Sequence, residues 1–174
     1  MFVVSITTMI NLACCCRKRN TKYDSARDTD VFIIHSLQPR SLEAAQQLAK
    51  YFTKQRLKAY VDDGTWSEDN TKVALFSARA VCIIYDLELE KSDIRKEHCR
   101  SLLSKVVHGK HLSPLMLYFP DNDYTKVIDF VCSFHPDTVV AGCLELNPVN
   151  FLPELELHRF VRDHCHKNRA FLWS

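Results

Sequence analysis

Four carboxylates follow the third apolar run of the chain: Glu88, Glu90, Asp93 and Glu97. A carboxylate at Glu97 could act as a general base or hold a ribose hydroxyl. The alternative is a solvated helix start, where acidic side chains are stabilised by the helix dipole. A single carboxylate without a catalytic partner is a weak basis for catalysis. We therefore expect no catalytic residue here, and Glu97 is the candidate if the protein is an enzyme.

A second group lies near the end of the chain, at His164, Cys165 and His166. Together with His158 or Cys143, these side chains could ligate zinc. No second ligand pair stands at the spacing of a zinc finger. Histidine is also favourable at the C-terminus of a helix, where the helix dipole attracts positive charge. With only 3 glycines, the chain also lacks a glycine-rich phosphate loop. We expect neither a metal nor a cofactor.

A third group surrounds one tryptophan in the segment after the second apolar run: Asp62, Asp63, Trp66, Glu68 and Asp69. A large aromatic ringed by polar groups is typical of an interface anchor. The competing interpretation is that Trp66 folds back onto the edge of the domain. We predict a protein-interaction site at these five residues, with the carboxylates controlling partner choice.

Three consecutive cysteines, Cys14, Cys15 and Cys16, end an apolar stretch at 2–16 and precede a basic triplet at 17–19. The stretch is shorter than the ~20 residues of a membrane span, and no positive charge precedes it, as a signal peptide requires. Cysteines in this position are candidates for S-palmitoylation, and the triplet attracts anionic lipid. We predict membrane association with the domain on the cytoplasmic side. The alternatives are a tail with incidental cysteines or a shortened product of a longer receptor.

The composition limits the class of protein. The 23 basic and 21 acidic residues give a net charge of +2, which does not indicate nucleic-acid binding. A chain of 174 residues suits one domain with its own core. The other five cysteines are spread singly, which favours a reducing compartment over a disulfide scaffold. We divide the chain into a membrane-proximal segment (1–28), a domain (29–166) and a tail (167–174).

Apolar runs and helical periodicity alternate through the domain. Buried strands are predicted at 31–35, 57–61, 80–85, 115–119 and 139–146. Helices are predicted at 41–55, 67–78, 92–107, 124–132 and 153–166, with Ser41 and Ser92 as N-caps. This alternation predicts an α/β fold with a flavodoxin-like five-stranded parallel sheet, helices on both faces and strand order 2-1-3-4-5.

Several segments resemble the SEFIR branch of the TIR-like superfamily, found in interleukin-17 receptors and their adaptor. The first strand DVFIIHS at 30–36 is similar to the opening motif of that family. AAQQLAKYFTKQRLKAYVD at 44–62 and KVALFSARAVCIIYD at 72–86 resemble the next two units. LSPLMLYFPDND at 112–123 and NFLPELELHRF at 150–160 resemble the last two, so the resemblance covers about 29–166.

The resemblance implies a cytoplasmic signalling domain that recruits a SEFIR-containing adaptor or co-receptor by homotypic contact, with self-association as a further expectation. The spacing from Ser92 to Glu97 also resembles that of TIR domains that cleave NAD. That likeness implies the alternative activity, an NAD glycohydrolase using Glu97.

Overall fold

The computed structural model describes residues 29–62, 68–93, 96–97, 99–100, 113–133, 140–147 and 152–166. Its centre is a parallel sheet of five strands in the order β2-β1-β3-β4-β5. The strands are β1 (Val31–Ile34), β2 (Ala59–Val61), β3 (Ala80–Tyr85), β4 (Leu115–Tyr118) and β5 (Gly142–Glu145). The predicted fold class and strand order are confirmed.

The helices cover both faces of the sheet. They are α1 (Pro39–Lys54), α2 (Glu68–Ser77), α3 (Leu87–Lys91), α4 (Tyr124–Cys132) and α5 (Glu154–Phe160), which continues as a π-helix at Val161–His166. Every residue of β1 and β3 is buried, because helices pack on both sides of these two strands. Among the described residues, no helix has both the length and the apolar character that a membrane crossing requires.

Alternate side chains along the strands enter two separate cores. Val31, Ile33 and Cys82 pack with α1 and α5, including Leu48 and Leu157. On the other face, strand residues pack with α2, α3 and α4. This second set contains Phe32, Ile34, Ile83, Tyr85, Ala74, Leu75, Leu89, Val127 and Phe130. Because each face of the sheet is packed, the side chains of each strand point alternately into one core and the other.

Ser41 is not the N-cap of α1, contrary to the sequence prediction. The helix begins two residues earlier, with Gln38 at the N-cap position and Pro39 in the first turn. Proline suits the first turn because its missing N–H has no partner there in any case. Ser41 is fully buried inside the helix, where its hydroxyl donates a hydrogen bond to Asp86. Leu42, in the first turn of α1, is 39% exposed.

The C-terminus of α1 ends in a Schellman motif built on Arg56. The Arg56 N–H donates to Thr53 O at 2.9 Å and the Leu57 N–H donates to Phe52 O at 3.0 Å. Arg56 has φ of 60°, the left-handed conformation that glycine adopts most readily. Leu57 and Phe52 both enter the α1 side of the core, so the motif directs the chain into β2.

Helix α3 lies between the predicted strand at 80–85 and the predicted helix at 92–107, where the sequence predicts neither. Asp86 caps α3 by accepting a hydrogen bond from Leu89 N at 2.8 Å. Ser92 ends α3, and its carbonyl accepts from Lys96 N at 2.9 Å, as the carbonyl of an N-cap does. Residues 93, 96–97 and 99–100 are helical, and the predicted continuation to 107 lies outside the described residues.

Candidate functional site at the carboxyl edge of the sheet

The carboxyl ends of β1 and β3 are joined by a buried polar group that we call the Asp86 cluster, formed by Ser36, Ser41 and Asp86. Ser36 Oγ donates to Asp86 Oδ2 at 2.5 Å, and Ser41 Oγ donates to the same oxygen. All three residues are at most 1% exposed. The cluster therefore connects the loop after β1, the first turn of α1 and the start of α3.

The loop after β1 is held by further polar contacts. Gln38 N donates to Ser36 Oγ at 3.1 Å, which makes Ser36 both donor and acceptor. His35 Nδ1 lies 2.5 Å from Ser36 O, and His35 is also buried. In open parallel sheets, ligands bind at the point where the strand order reverses, which here lies between β1 and β3. In this protein the polar side chains at that point bond to one another.

A second link joins α1 to the loop after β4. Arg40 Nη1 donates to Asp121 Oδ2 at 2.7 Å. The Arg40 guanidinium carbon lies 4.5 Å from the centre of the Phe119 ring. The ion pair is about half exposed, so it contributes little by charge alone, whereas the stacking on Phe119 orders the arginine.

Outside the Asp86 cluster, a cleft of about 330 Å³ opens to solvent, lined by Leu37, Gln38, Glu88, Lys91 and Ser92. Leu37 is 75% exposed, and Leu87, the neighbour of Glu88 in sequence, is 46% exposed. Lys91 Nζ donates to Glu88 Oε1 at 2.6 Å across the cleft wall. The volume suits a small ligand, and the exposed leucines also suit a protein partner.

Glu97 is exposed, and its carboxylate accepts a hydrogen bond from Arg100. It is not among the described residues that line the cleft. The ion pairs Glu88–Lys91, Asp93–Lys96 and Glu97–Arg100 follow one another along this part of the chain. The carboxylates of the predicted acidic cluster are thus largely paired on the surface rather than gathered around one point.

The structure places only part of the predicted interaction loop. Asp62 is 1% exposed, so the expectation of an exposed carboxylate at this position is wrong. The reason lies in the sheet, because Asp62 N donates to Ile33 O at 3.1 Å and extends the pairing of β2 with β1. Asp63 and Trp66 lie outside the described residues. Glu68 and Asp69 form the first turn of α2.

The predicted lipidation residues Cys14, Cys15 and Cys16 also lie outside the described residues. So does the whole membrane-proximal segment at 1–28. Membrane association through this segment stays a prediction.

Near the chain end, the structure describes the side chains of His164 and Cys165. Cys165 is buried, and desolvation with a contribution from Asp30 raises its pKa to about 12. The His164 ring stacks on Phe160, with ring centres 5.1 Å apart. Within the described ranges, no group of three or more His, Cys, Asp or Glu side chains is arranged to hold a metal ion.

Sequence reasoning missed Ser36, Ser41 and Asp86 as a connected group. A usable signal was present, since Ser36 and Asp86 each follow a buried strand directly or within two residues. Carboxyl ends of neighbouring parallel strands meet at one edge, which brings such residues together. Ser41 carried no such signal because its position suggested a helix cap.

The fold is similar to that of solved TIR domains. The chain is similar to the TIR domains in the structure of the activated Roq1 resistosome directly recognizing the pathogen effector XopQ. The TM-score is 0.55 and the identity 13%, covering 78% of this chain and 98% of that one. The chain thus has the TIR-like fold. A scan of protein-family models found no match, and neither did a search of curated proteins.

Proposed function

We propose that this chain is a signalling domain that acts by homotypic contact between TIR-like domains. The observation that carries the proposal is the TIR-like fold, which extends over most of the chain. The similar TIR domains are those of an activated resistosome. For this chain we propose contact between like domains. The segments that resemble SEFIR domains further favour an adaptor or co-receptor of an interleukin-17 receptor-like system as the partner.

The Asp86 cluster supports a binding module over an enzyme. Asp86 is the buried carboxylate at the point where strand order reverses, and it already accepts from Ser36, Ser41 and Leu89 N. A carboxylate engaged in this way stabilises the edge of the sheet rather than a substrate. The solvent-facing side of this edge carries Leu37 and Leu87, side chains that suit protein contact.

Self-association of the full chain tests the proposal. We expect sedimentation velocity to show concentration-dependent association, and Trp66→Ala to reduce it while leaving the thermal unfolding midpoint unchanged. Leu155→Ala is the matched control, because Leu155 is an exposed apolar residue on α5. A chain that stays monomeric at all concentrations, and that also fails to bind SEFIR-bearing adaptors, would contradict the proposal. If Trp66→Ala instead unfolds the domain, Trp66 belongs to the core.

The second candidate function is cleavage of NAD by Glu97. The cleft beside Ser92 favours it, because its volume is that of a small-molecule site and its lining residues follow the carboxyl ends of β1 and β3. We expect the purified chain to release no nicotinamide from NAD above background. Release that Glu97→Gln abolishes, while Glu156→Gln on α5 does not, would establish the enzyme instead.

We further propose that the cysteines at 14–16 and the basic triplet at 17–19 anchor the protein at the cytoplasmic side of a membrane. One acyl chain gives only marginal binding, so the two signals act together. Changing Cys14, Cys15 and Cys16 to serine should move the protein from the membrane to the soluble fraction. Cys132→Ser is the control, since Cys132 is an exposed cysteine in the folded domain. An unchanged distribution of the triple variant would remove this proposal.

A further inference from the structure

An aromatic and acidic surface lies where β4 and β5 end, on the side of the sheet that α4 covers. We call it the Tyr118 corner, formed by Tyr118, Tyr124 and Glu145. Tyr124 begins α4, and its ring centre lies 6.1 Å from that of Tyr118, with the two planes at 62°. Tyr124 is 54% exposed. More than half of Tyr124 is therefore open to solvent.

Glu145 completes the corner from the edge strand. It is the register partner of Tyr118 in the pairing of β4 with β5. Partners in neighbouring strands lie about 4.8 Å apart and point to the same face. Burial, followed by the charge of Glu145, raises the pKa of Tyr118, so the phenol stays neutral at physiological pH. The corner therefore carries the single negative charge of Glu145.

The exposed carboxylate of Glu145 has neither an ion pair nor a hydrogen bond within the part of the chain that the structure describes. A cation bound here could stack on an aromatic ring and form an ion pair with the carboxylate at the same time. The protein contains a complete contact of this kind at the end of the same strand. There, Arg40 stacks 4.5 Å above Phe119 and donates to Asp121 at 2.7 Å.

The two arrangements lie on opposite faces of the sheet. Phe119 packs in the core beneath α1, whereas Tyr118 packs against the core beneath α4. On the α1 side the chain supplies its own arginine. On the α4 side, no described cation stacks on the two tyrosine rings or pairs with Glu145; Lys126 on α4 lies near Asp123 instead.

We propose that the Tyr118 corner binds an arginine side chain of a partner protein. A guanidinium can lie flat on the open face of Tyr124 and donate two parallel hydrogen bonds to Glu145. The lysine ammonium is compact and strongly hydrated, so it can neither stack flat on the ring nor donate two parallel hydrogen bonds to the carboxylate as a guanidinium does. The partner is thus recognised by an arginine in an exposed segment. The inference goes beyond the proposed function, which assigns no contact to this surface.

The probe for the test is the blocked amino acid N-acetyl-arginine amide, titrated into the isotope-labelled full chain and followed by NMR. The neutral analogue N-acetyl-citrulline amide has nearly the same shape and is the matched ligand. We expect saturable shifts of the Tyr124 and Glu145 amides with the arginine probe only. Glu145→Gln and Tyr124→Leu should each weaken binding about fivefold, the factor that corresponds to ~1 kcal/mol. Glu156→Gln, which removes an exposed carboxylate on α5, should leave binding unchanged.

Equal binding of the citrulline and arginine probes would overturn the proposal, as would unchanged binding in Glu145→Gln. Equal binding of N-acetyl-lysine amide would overturn the choice of arginine and leave a site for charge alone. The result is independent of self-association, because the titration is read on a single chain. A chain that stays monomeric and binds no SEFIR-bearing adaptor, but binds the arginine probe at this corner, would contradict the proposed function and support this inference.

Discussion

The Asp86 carboxylate is 1% exposed, so its hydrogen bonds must come from within the protein. It accepts them from the hydroxyls of Ser36 and Ser41 and from the backbone N–H of Leu89. The three donors come from different elements: the loop after β1, helix α1 and helix α3. Hydrogen bonds to a charged group are each stronger than those between neutral groups. One residue thus sets the relative position of three segments at the edge of the sheet.

Asp86→Ala should lower the free energy of unfolding by about 3 kcal/mol, because it leaves the buried hydroxyls of Ser36 and Ser41 without their acceptor. Denaturant unfolding followed by circular dichroism measures the change. Asp121→Ala is the control, and we expect a loss of about 0.5 kcal/mol there because its ion pair with Arg40 is half exposed. Similar losses in the two variants would show that the Asp86 cluster has no special structural role.

At the scale of the element, the junction between α1 and β2 has a residue in an unfavourable conformation. Arg56 is exposed and adopts φ of 60° in the Schellman motif, where side chains beyond glycine are strained. The motif is retained because the hydrogen bonds to Phe52 and Thr53 satisfy the last carbonyls of the helix.

Arg56→Gly should therefore raise the stability of the domain by about 0.5–1 kcal/mol, despite the greater freedom of glycine in the unfolded chain. The measurement is the shift of the denaturant midpoint at constant slope. Lys54→Gly, two residues earlier and inside α1, is the opposite control and should destabilise by about 1 kcal/mol. If Arg56→Gly were as destabilising as Lys54→Gly, the side chain of Arg56 would have to make contacts that outweigh its strain.

The elements differ in how far the sequence predicts them. The bounds of β3 and α4 agree with prediction, because a continuous apolar run marks β3 and helical periodicity marks α4. Helix α3 was missed because five residues are too few to show a helical period. Asp62 was misplaced for a related reason: pairing with Ile33 extends the edge strand β2 by one position, and no local pattern indicates this.

At the scale of the whole molecule, the fold controls the reactivity of its thiols. Among the described cysteines, Cys132 is exposed, Cys143 is half-buried, and Cys82, Cys99 and Cys165 are buried. Desolvation raises the pKa of Cys143 to about 11, so little thiolate is present at pH 8. Only the thiolate reacts with alkylating agents, so burial protects these residues both by exclusion and by protonation.

With iodoacetamide at pH 8, we expect Cys132 to be alkylated first, Cys143 much more slowly, and the three buried cysteines only when the domain unfolds. Mass spectrometry of proteolytic fragments at successive times measures this order and separates these residues from Cys14, Cys15 and Cys16. In urea above the unfolding midpoint all sites should react at similar rates, which serves as the control. Early alkylation of Cys165 would show that the π-helix detaches from the sheet without global unfolding.

The strand order also affects how the chain folds while it is being synthesised. Strand β1 lies between β2 and β3, and β4 pairs with the other side of β3. A nascent chain that has emerged from the ribosome only as far as Tyr85 has β3, six fully buried residues, at the margin of an incomplete sheet. Synthesis must reach Leu115 before β3 gains its second neighbour, a delay of roughly 2–6 s at usual elongation rates. A premature stop codon in this interval should therefore yield an aggregating fragment, whereas a fusion after the last helix should be tolerated.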